Sequence, residues 1–310
     1  MSLDKVRTTF QNFSTCKNWS LQLLNIKTSK KNGTGYNSRE ITLSPDDRLN
    51  SLLKDISDVY LGNGRKSLDL CQEVRTYDGT ADARVIYSMD VDNALISSEY
   101  DSFLETIANP NTENDPFEYT SAYLLKGQVI VDKEEIPVKL VSMQNPTTTL
   151  KHKFLCNKGK FEEVKEKLLS LRPTLDILIV TDTVYFLTLA GENLFNMARS
   201  YKIVCNQKVV EIEALDIIEA IDDFKAVVTS GHNPRRFVSY DKNKLEALKR
   251  KATRISIARQ FDIPFNASNG KFDASADGTS VKIVKFLCNK GMLDPIEKNA
   301  VEVDGARKWS

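Results

Sequence analysis

EYTSAYLLKGQVIVDKEEIPVKLVSM, Glu118 to Met143, decides the fold class. Its apolar residues fall into three runs, Glu118 to Leu125, Gln128 to Asp132 and Ile136 to Met143, with breaks too short to hold a helix. Strands joined by such turns run antiparallel, because a parallel pair needs a crossover of about a dozen residues. The stretch therefore predicts a meander. The first half of the chain then reads as α+β, with a mixed or antiparallel sheet and helices, and not as a doubly wound sheet.

Upstream, Val6 to Phe13 reads as a short helix and Trp19 to Ile26 as a strand. The loop Lys30 to Ser38 leads to a strand at Glu40 to Leu43. That loop contains Gly33 and Gly35, but no Lys-Ser/Thr pair follows at P-loop spacing, so it reads as a hairpin loop and not a phosphate cradle. Ser44 and Pro45 start a helix with favourable N-terminal chemistry. Leu49, Leu52, Leu53, Ile56 and Val59 give that helix one apolar face, and Gly62 and Gly64 end it. Strands are expected at Ser67 to Arg75 and Val85 to Asp90, joined around Asp78-Gly79. A helix is expected from Ile96 to Ala108.

Downstream, Gln144 to Thr149 is polar and contains Pro146, which places a domain boundary there. The chain then divides into an N-terminal α+β domain, 1–147, and a C-terminal helix-rich α+β domain, 148–310. In the second part, a helix is expected over Phe161 to Leu171 and strands over Leu175 to Val180 and Val184 to Leu189. Helices are expected over Glu192 to Val204 and Glu211 to Phe224. Asp262 to Thr279 is loop-rich, Ser280 to Asn289 is a short helix or strand, and Ala300 to Trp309 reads as a closing strand. The heptapeptide KFLCNKG occurs twice, at Lys153 to Gly159 and at Lys285 to Gly291. Its flanks differ, so it is not a repeat unit, and each copy reads as a helix end stopped by glycine.

Composition is that of a soluble globular protein: 41% hydrophobic and 27% charged residues. No apolar run approaches the ~18 residues that span a bilayer, and the first residues lack the apolar core of a signal peptide. Five scattered cysteines without a Cys-x-x-Cys pair fit a reduced, cytoplasmic protein. The net charge of +1 hides an asymmetry. Residues 1–147 hold 16 Lys/Arg against 21 Asp/Glu, and residues 148–310 hold 27 against 21.

The positive charge concentrates in GHNPRRFVSYDKNKLEALKRKATRISIAR, Gly231 to Arg259. From Arg235 to Arg259 nine bases face only Asp241 and Glu246, a local +7. Leu245, Leu248, Ala252 and Ile255 recur at helical spacing, which predicts one amphipathic helix with Arg250 and Arg254 on its polar side. A row of fixed cations suits the phosphate backbone of duplex DNA, which makes little demand on base identity. The candidate DNA-binding residues are Arg235, Arg236, Lys242, Lys244, Lys249, Arg250, Lys251 and Arg254. Phe237, Tyr240 and Phe261 are too few for a single-strand stacking platform. Just upstream, Val209 to Asp223 holds six acids and no base, so an acidic and a basic segment lie side by side in the chain. They could pair across a homo-oligomer interface, with Glu211, Glu219 and Asp223 meeting Arg250 and Arg254.

Catalytic signals are weak. The two histidines, His152 and His232, leave no His-rich metal site. His232 beside the arginines reads as a turn or phosphate contact. A metal-dependent nuclease would draw on Asp176, Asp182, Glu192, Glu211 and Glu213, but no Glu-x-Lys follows the aspartates on a strand, and each acid also fits a turn, a helix start or a solvated face. No catalytic residue, metal or cofactor is expected.

Gly191-Glu-Asn-Leu-Phe195 before a long helix, the basic region Arg236 to Arg254, and the ending Ile283 to Pro295 followed by Val303 to Lys308 together resemble the KwaB-like family of the Kiwa anti-phage defence system. The resemblance spans the chain from about Trp19. It implies a cytoplasmic DNA-binding effector that works with a membrane-embedded partner of the KwaA type and suppresses replication and transcription of phage DNA. It brings no mapped catalytic residues. Occlusion of duplex DNA by a homo-oligomer peripheral to the inner membrane is the leading expectation. A metal-dependent nuclease and a non-catalytic homo-oligomeric interaction protein are the alternatives.

Overall fold

The structure is a computed structural model that describes residues 3–13, 17–29, 33–43, 48–77, 84–111, 120–143, 154–157, 160–163, 171–231, 233–238, 240–288, 291–293 and 300–302. The fold is α+β. The chain forms two compact units, one of residues 1–76 and 83–197 and one of residues 77–82 and 198–310.

The first unit holds α1 (Leu3–Gln11), β1 (Lys17–Ser29), β2 (Gly33–Ile41), α2 (Arg48–Leu61), β3 (Glu73–Thr76), β4 (Val85–Asp90), α3 (Ser97–Ala108), β5 (Ala122–Val131), β6 (Glu134–Met143), β7 (Phe154–Asn157), β8 (Lys160–Glu163), β9 (Ile177–Val180) and β10 (Thr183–Phe186). Eight of these strands make one sheet in the order β2-β1-β5-β6-β9-β10-β4-β3. The meander is one long hairpin at its centre: β5 and β6 pair antiparallel from Ala122↔Met143 to Val131↔Glu134. The two runs predicted on either side of Gly127 are one strand. Asp132 and Lys133 both take positive φ, 50° and 73°, the backbone of a two-residue turn whose twist matches the strands it joins.

Side chains alternate across this sheet. Leu21, Leu23, Tyr123, Leu125, Leu140 and Leu178 face Val6 and Phe10 of α1 and Leu53, Ile56 and Tyr60 of α2. On the other face α3 closes over β1 and β2. Gln22 Nε2 donates to the carbonyl of Ile107 at 3.1 Å and Ser38 Oγ to that of Thr106 at 2.8 Å. Tyr60 Oη ties α2 to the sheet by donating to Leu175 O and accepting from Leu175 N.

At Trp19 the pairing of β1 with β5 shifts register, so two residues of β1 stand opposite Gly127. A Cβ on Gly127 would lie 2.6 Å from Trp19 Cδ2, so the indole occupies the space that a side chain would need. Gly127→Ala is expected to displace the ring and cost about 1–3 kcal/mol. The check is a lower melting temperature together with a changed Trp19 emission in a Trp309→Phe background, and an unchanged spectrum would count against the contact.

Several sequence expectations give way. The loop expected over Lys30 to Ser38 is mostly strand, because β2 pairs with β1 from Gly33 to Ile41. β3 and β4 are parallel, Glu73↔Val85 to Thr76↔Ser88, where a hairpin was expected. Tyr77, the residue after β3, belongs to the second unit. The division between units lies at Met197/Ala198, not at 147/148. β9 and β10 come after the expected boundary but belong to the first sheet, with Val138↔Val180 and Val184↔Met89 as cross-strand partners. The start of the helix expected over Phe161 to Leu171 is β8, paired antiparallel with β7; residues 164–170 lie outside the described residues.

The second unit holds α4 (Met197–Glu213, begun in the first unit), β11 (Ile218–Glu219), α5 (Ile221–Val228), α6 (Asn233–Phe237), α7 (Lys242–Leu248), α8 (Lys251–Gln260), β12 (Phe265–Asn266), β13 (Lys271–Asp273), α9 (Thr279–Leu287), β14 (Gly291–Leu293) and β15 (Ala300–Glu302). The helix expected over Glu192 to Val204 is α4, which starts later and runs on to Glu213, whereas the one expected over Glu211 to Phe224 is broken by β11, and only its last four residues belong to α5. The core joins Cys205, Val209 and Ile212 of α4 to Phe224, Phe237, Leu248, Ile257, Phe272, Ile283 and Leu287. The two KFLCNKG copies differ: the first forms β7 and the second ends α9 and enters β14. Only the second is the helix end that its sequence suggests.

Candidate nucleic-acid interface

The single amphipathic helix predicted through Leu245 and Ile255 is two helices. Asp241 caps α7, its side chain accepting from the backbone of Asn243 and Lys244. The turn at Lys249 and Arg250 ends that helix, and Arg250 adopts extended backbone, φ −84° and ψ 121°, before α8 begins. On an unbroken helix Leu248 and Ile257 would stand on opposite sides, nine residues apart at 100° per residue. The break re-phases the chain, so both side chains enter the same core.

Arg254 is the chemical reason the break is tolerated. It is 8% exposed. Its Nε donates to Gly270 O at 2.8 Å, and its Nη1 donates to Leu248 O at 2.7 Å and Lys249 O at 3.0 Å. The last two are carbonyls at the end of α7, which has no further turn to use them. The guanidinium caps one helix, belongs to the next and holds the loop before β13. The expectation that Arg250 and Arg254 share an exposed face is therefore corrected: Arg254 turns inward and Arg250 stays exposed. Arg254 cannot meet an acid across an oligomer interface either, and Glu219 already accepts from Asn266 and Asn269.

The other predicted contacts separate by burial. Arg235 is half-buried, its Nε donating to Tyr77 Oη at 3.2 Å. Arg236 is half-buried in α6, and its carbonyl accepts from the Cys288 thiol. Lys244 donates to Phe286 O at 2.8 Å and lies 4.5 Å from the Phe286 ring centre. Burial, partly offset by Asp241, pulls its ammonium below the usual lysine range. Lys242, Lys249, Arg250 and Lys251 are exposed. Lys249 pairs with Glu246 at 2.7 Å, and Lys251 makes a long contact of 3.4 Å to Ala267 O. His232 lies outside the described residues.

Lys249, Arg250 and Lys251 are consecutive at the start of α8, and no side chain caps that start. Its first backbone N–H groups and the positive end of the helix dipole add to the three cations. Positive charge at a helix N-terminus is chemically suited to anions such as phosphate. The surface is carried by Lys242, Lys249, Arg250 and Lys251. Among the candidates named from the sequence, these four are exposed, whereas Lys244 is half-buried and Arg254 is buried, a difference that the local pattern does not carry.

The acids considered for a metal site take other places. Asp176 accepts from Met143 N at 2.7 Å and from the Thr188 hydroxyl, which clasps β9 to its neighbours. Glu211 accepts from Tyr240 Oη at 2.8 Å, and Glu213 is exposed on α4. Asp182 lines a cavity of about 510 Å³ with Asp92, Asp101, Tyr100 and Lys139. Burial lowers the Lys139 pKa, and Asp182 opposes that shift. Among the described residues no three His, Cys, Asp or Glu side chains come together in a metal-binding cluster. Among the described residues Cys71, Cys205 and Cys288 are thiols outside any disulfide, and burial pushes Cys205 up to about 12.

Fold and surface define an α+β protein whose helical unit carries exposed basic residues at the start of α8. The family described as Kiwa protein KwaB-like matches residues 133–292, just over half of the chain. The chain belongs to that family, which supports a role in Kiwa anti-phage defence. No curated protein and no solved structure matches it. Among the described residues no helix is long and apolar enough to cross a membrane.

Proposed function

We propose that this chain is a DNA-binding effector of Kiwa defence. It occupies the phosphate backbone of phage duplex DNA and obstructs replication and transcription without cutting it. It acts as a homo-oligomer, held at the inner membrane through a multi-span partner of the KwaA type. The observation that carries the DNA reading is the uncapped start of α8 with Lys249, Arg250 and Lys251 exposed upon it. Backbone contact of this kind positions a protein without reading sequence.

The test is binding of the purified protein to linear duplexes of different sequence over a salt series, with Mg²⁺ or Mn²⁺ present. Log affinity should fall linearly with log salt, with a slope of roughly −0.9 per phosphate contacted, or about −3.6 for four contacts. The duplexes should bind alike and remain intact. Salt-independent binding would reject the backbone reading, and shortened DNA would favour a nuclease. Membrane recovery should require the partner gene, so recovery of this protein in the membrane when expressed alone would count against an indirect attachment.

A further inference from the structure

We propose that the outward stripe of α4 is the surface on which a second copy of this chain docks, with the two α4 helices antiparallel about a twofold axis. The proposal rests on the self-association proposed above and names its surface.

The inward side of α4 is fully used. Cys205, Val209 and Ile212 are buried in the second core, and Lys208 lies 4.3 Å from the Tyr240 ring centre. The outward side carries Ile203 and Val210, which are 50% and 60% exposed. Leu70 is the one other large hydrophobic residue that exposed among the described residues. Ile203 and Val210 are seven residues apart, so about two turns bring them onto one line. Asn206 and Gln207 lie between them and exposed Ala214 extends the line. An apolar stripe with an uncharged polar centre does not suit a phosphate backbone, but it suits another helix.

The charges select the partner. Arg199 and Lys202, in the first turns, and Glu213, in the last, lie on the same flank of this stripe by helical periodicity. An antiparallel pair centred between Asn206 and Gln207 sets Ile203 of each copy against Val210 of the other. The same register brings Arg199 and Lys202 of each copy level with Glu213 of the other, on the same side. Each favourable contact then occurs twice, as a twofold interface requires. A parallel pair would bring like charges together. Antiparallel helix dipoles add to the preference.

The 17 residues of α4 make a helix of about 25 Å. One helix pair of that length falls at the small end of specific interfaces, so assembly should depend on protein concentration. Sedimentation from about 1 to about 200 µM, the micromolar range suited to such an interface, should show a monomer–dimer equilibrium. Ile203→Glu with Val210→Glu should shift it at least about 100-fold towards monomer with unchanged circular dichroism and melting temperature, because both side chains are exposed. Lys202→Glu should weaken the dimer about 10-fold, and adding Glu213→Lys should restore it. If the Ile203/Val210 variant assembles like the wild type, this surface is rejected while self-association stands. If the wild type is monomeric throughout, self-association and this surface both fall.

Discussion

Arg254→Gln is expected to lower the melting temperature of the second unit by about 6–20 °C. Glutamine is too short to reach the carbonyls of Leu248, Lys249 and Gly270 together, so acceptors at 2.7, 3.0 and 2.8 Å lose their donor in a site that is 8% exposed. A buried acceptor left without a partner costs about 1–3 kcal/mol, and partial entry of water brings the total to about 2–4 kcal/mol. For a unit of this size each kcal/mol moves the midpoint by about 3–5 °C. Arg254→Lys keeps a charge but not the planar fork, so it should fall between glutamine and the wild type. Arg250→Gln, four residues away and exposed, should leave the midpoint within about 2 °C, because surface changes of this kind stay within about 0.5 kcal/mol. Thermal melts of the three variants decide it. An Arg254→Gln protein that melts like the wild type would remove the helix-capping role.

The same contrast shows why the sequence ran out where it did. Leu245, Leu248, Ala252 and Ile255 satisfy helical spacing, and nothing local marks a break at Lys249. The break is set by partners far along the chain, Gly270 and the core around Phe272, to which Arg254, Ile257 and Ala258 turn. Ala252 is exposed as a result. The strands were easier to read because period-two alternation is local: β9 falls inside its expected run, β6 and β10 start only one or two residues early, and β5 merges two runs. What alternation does not carry is the partner. β6 and β9, which lie on either side of the expected boundary, pair at Val138↔Val180, so strands from both sides belong to one sheet. KFLCNKG makes the point within one protein. In its second copy Phe286 and Leu287 face the core of the helical unit, and the peptide ends a helix. In its first copy the peptide pairs with Lys160 to Glu163 and becomes a strand. Intrinsic propensity is too weak to choose between these, and the surroundings decide.

The largest effect on binding should come from changing Lys242, Lys249, Arg250 and Lys251 to Gln together. All four are exposed, none enters the core, and glutamine is a good helix former, so the fold should be retained. Lys249 also gives up its pair with Glu246, an exposed i,i+3 contact worth only a few tenths of a kcal/mol. If each cation neutralises one phosphate, the salt slope should flatten by about 3.6, and affinity at low salt should fall about 100-fold or more for every duplex alike. The start of α8 would keep its N–H groups but lose the charges that draw a phosphate to them, so residual binding should be weak and nearly salt-independent. Lys282→Gln is the matched control. Lys282 is also a cation of the helical unit, but it is engaged by Asp262 at 2.9 Å and lies outside the α7–α8 turn, so its loss should leave the slope unchanged. Filter binding or fluorescence anisotropy at four salt concentrations reads both variants. If the quadruple variant melts normally and keeps the wild-type slope, DNA does not meet the chain at the start of α8, and the charge there is only a solvated face.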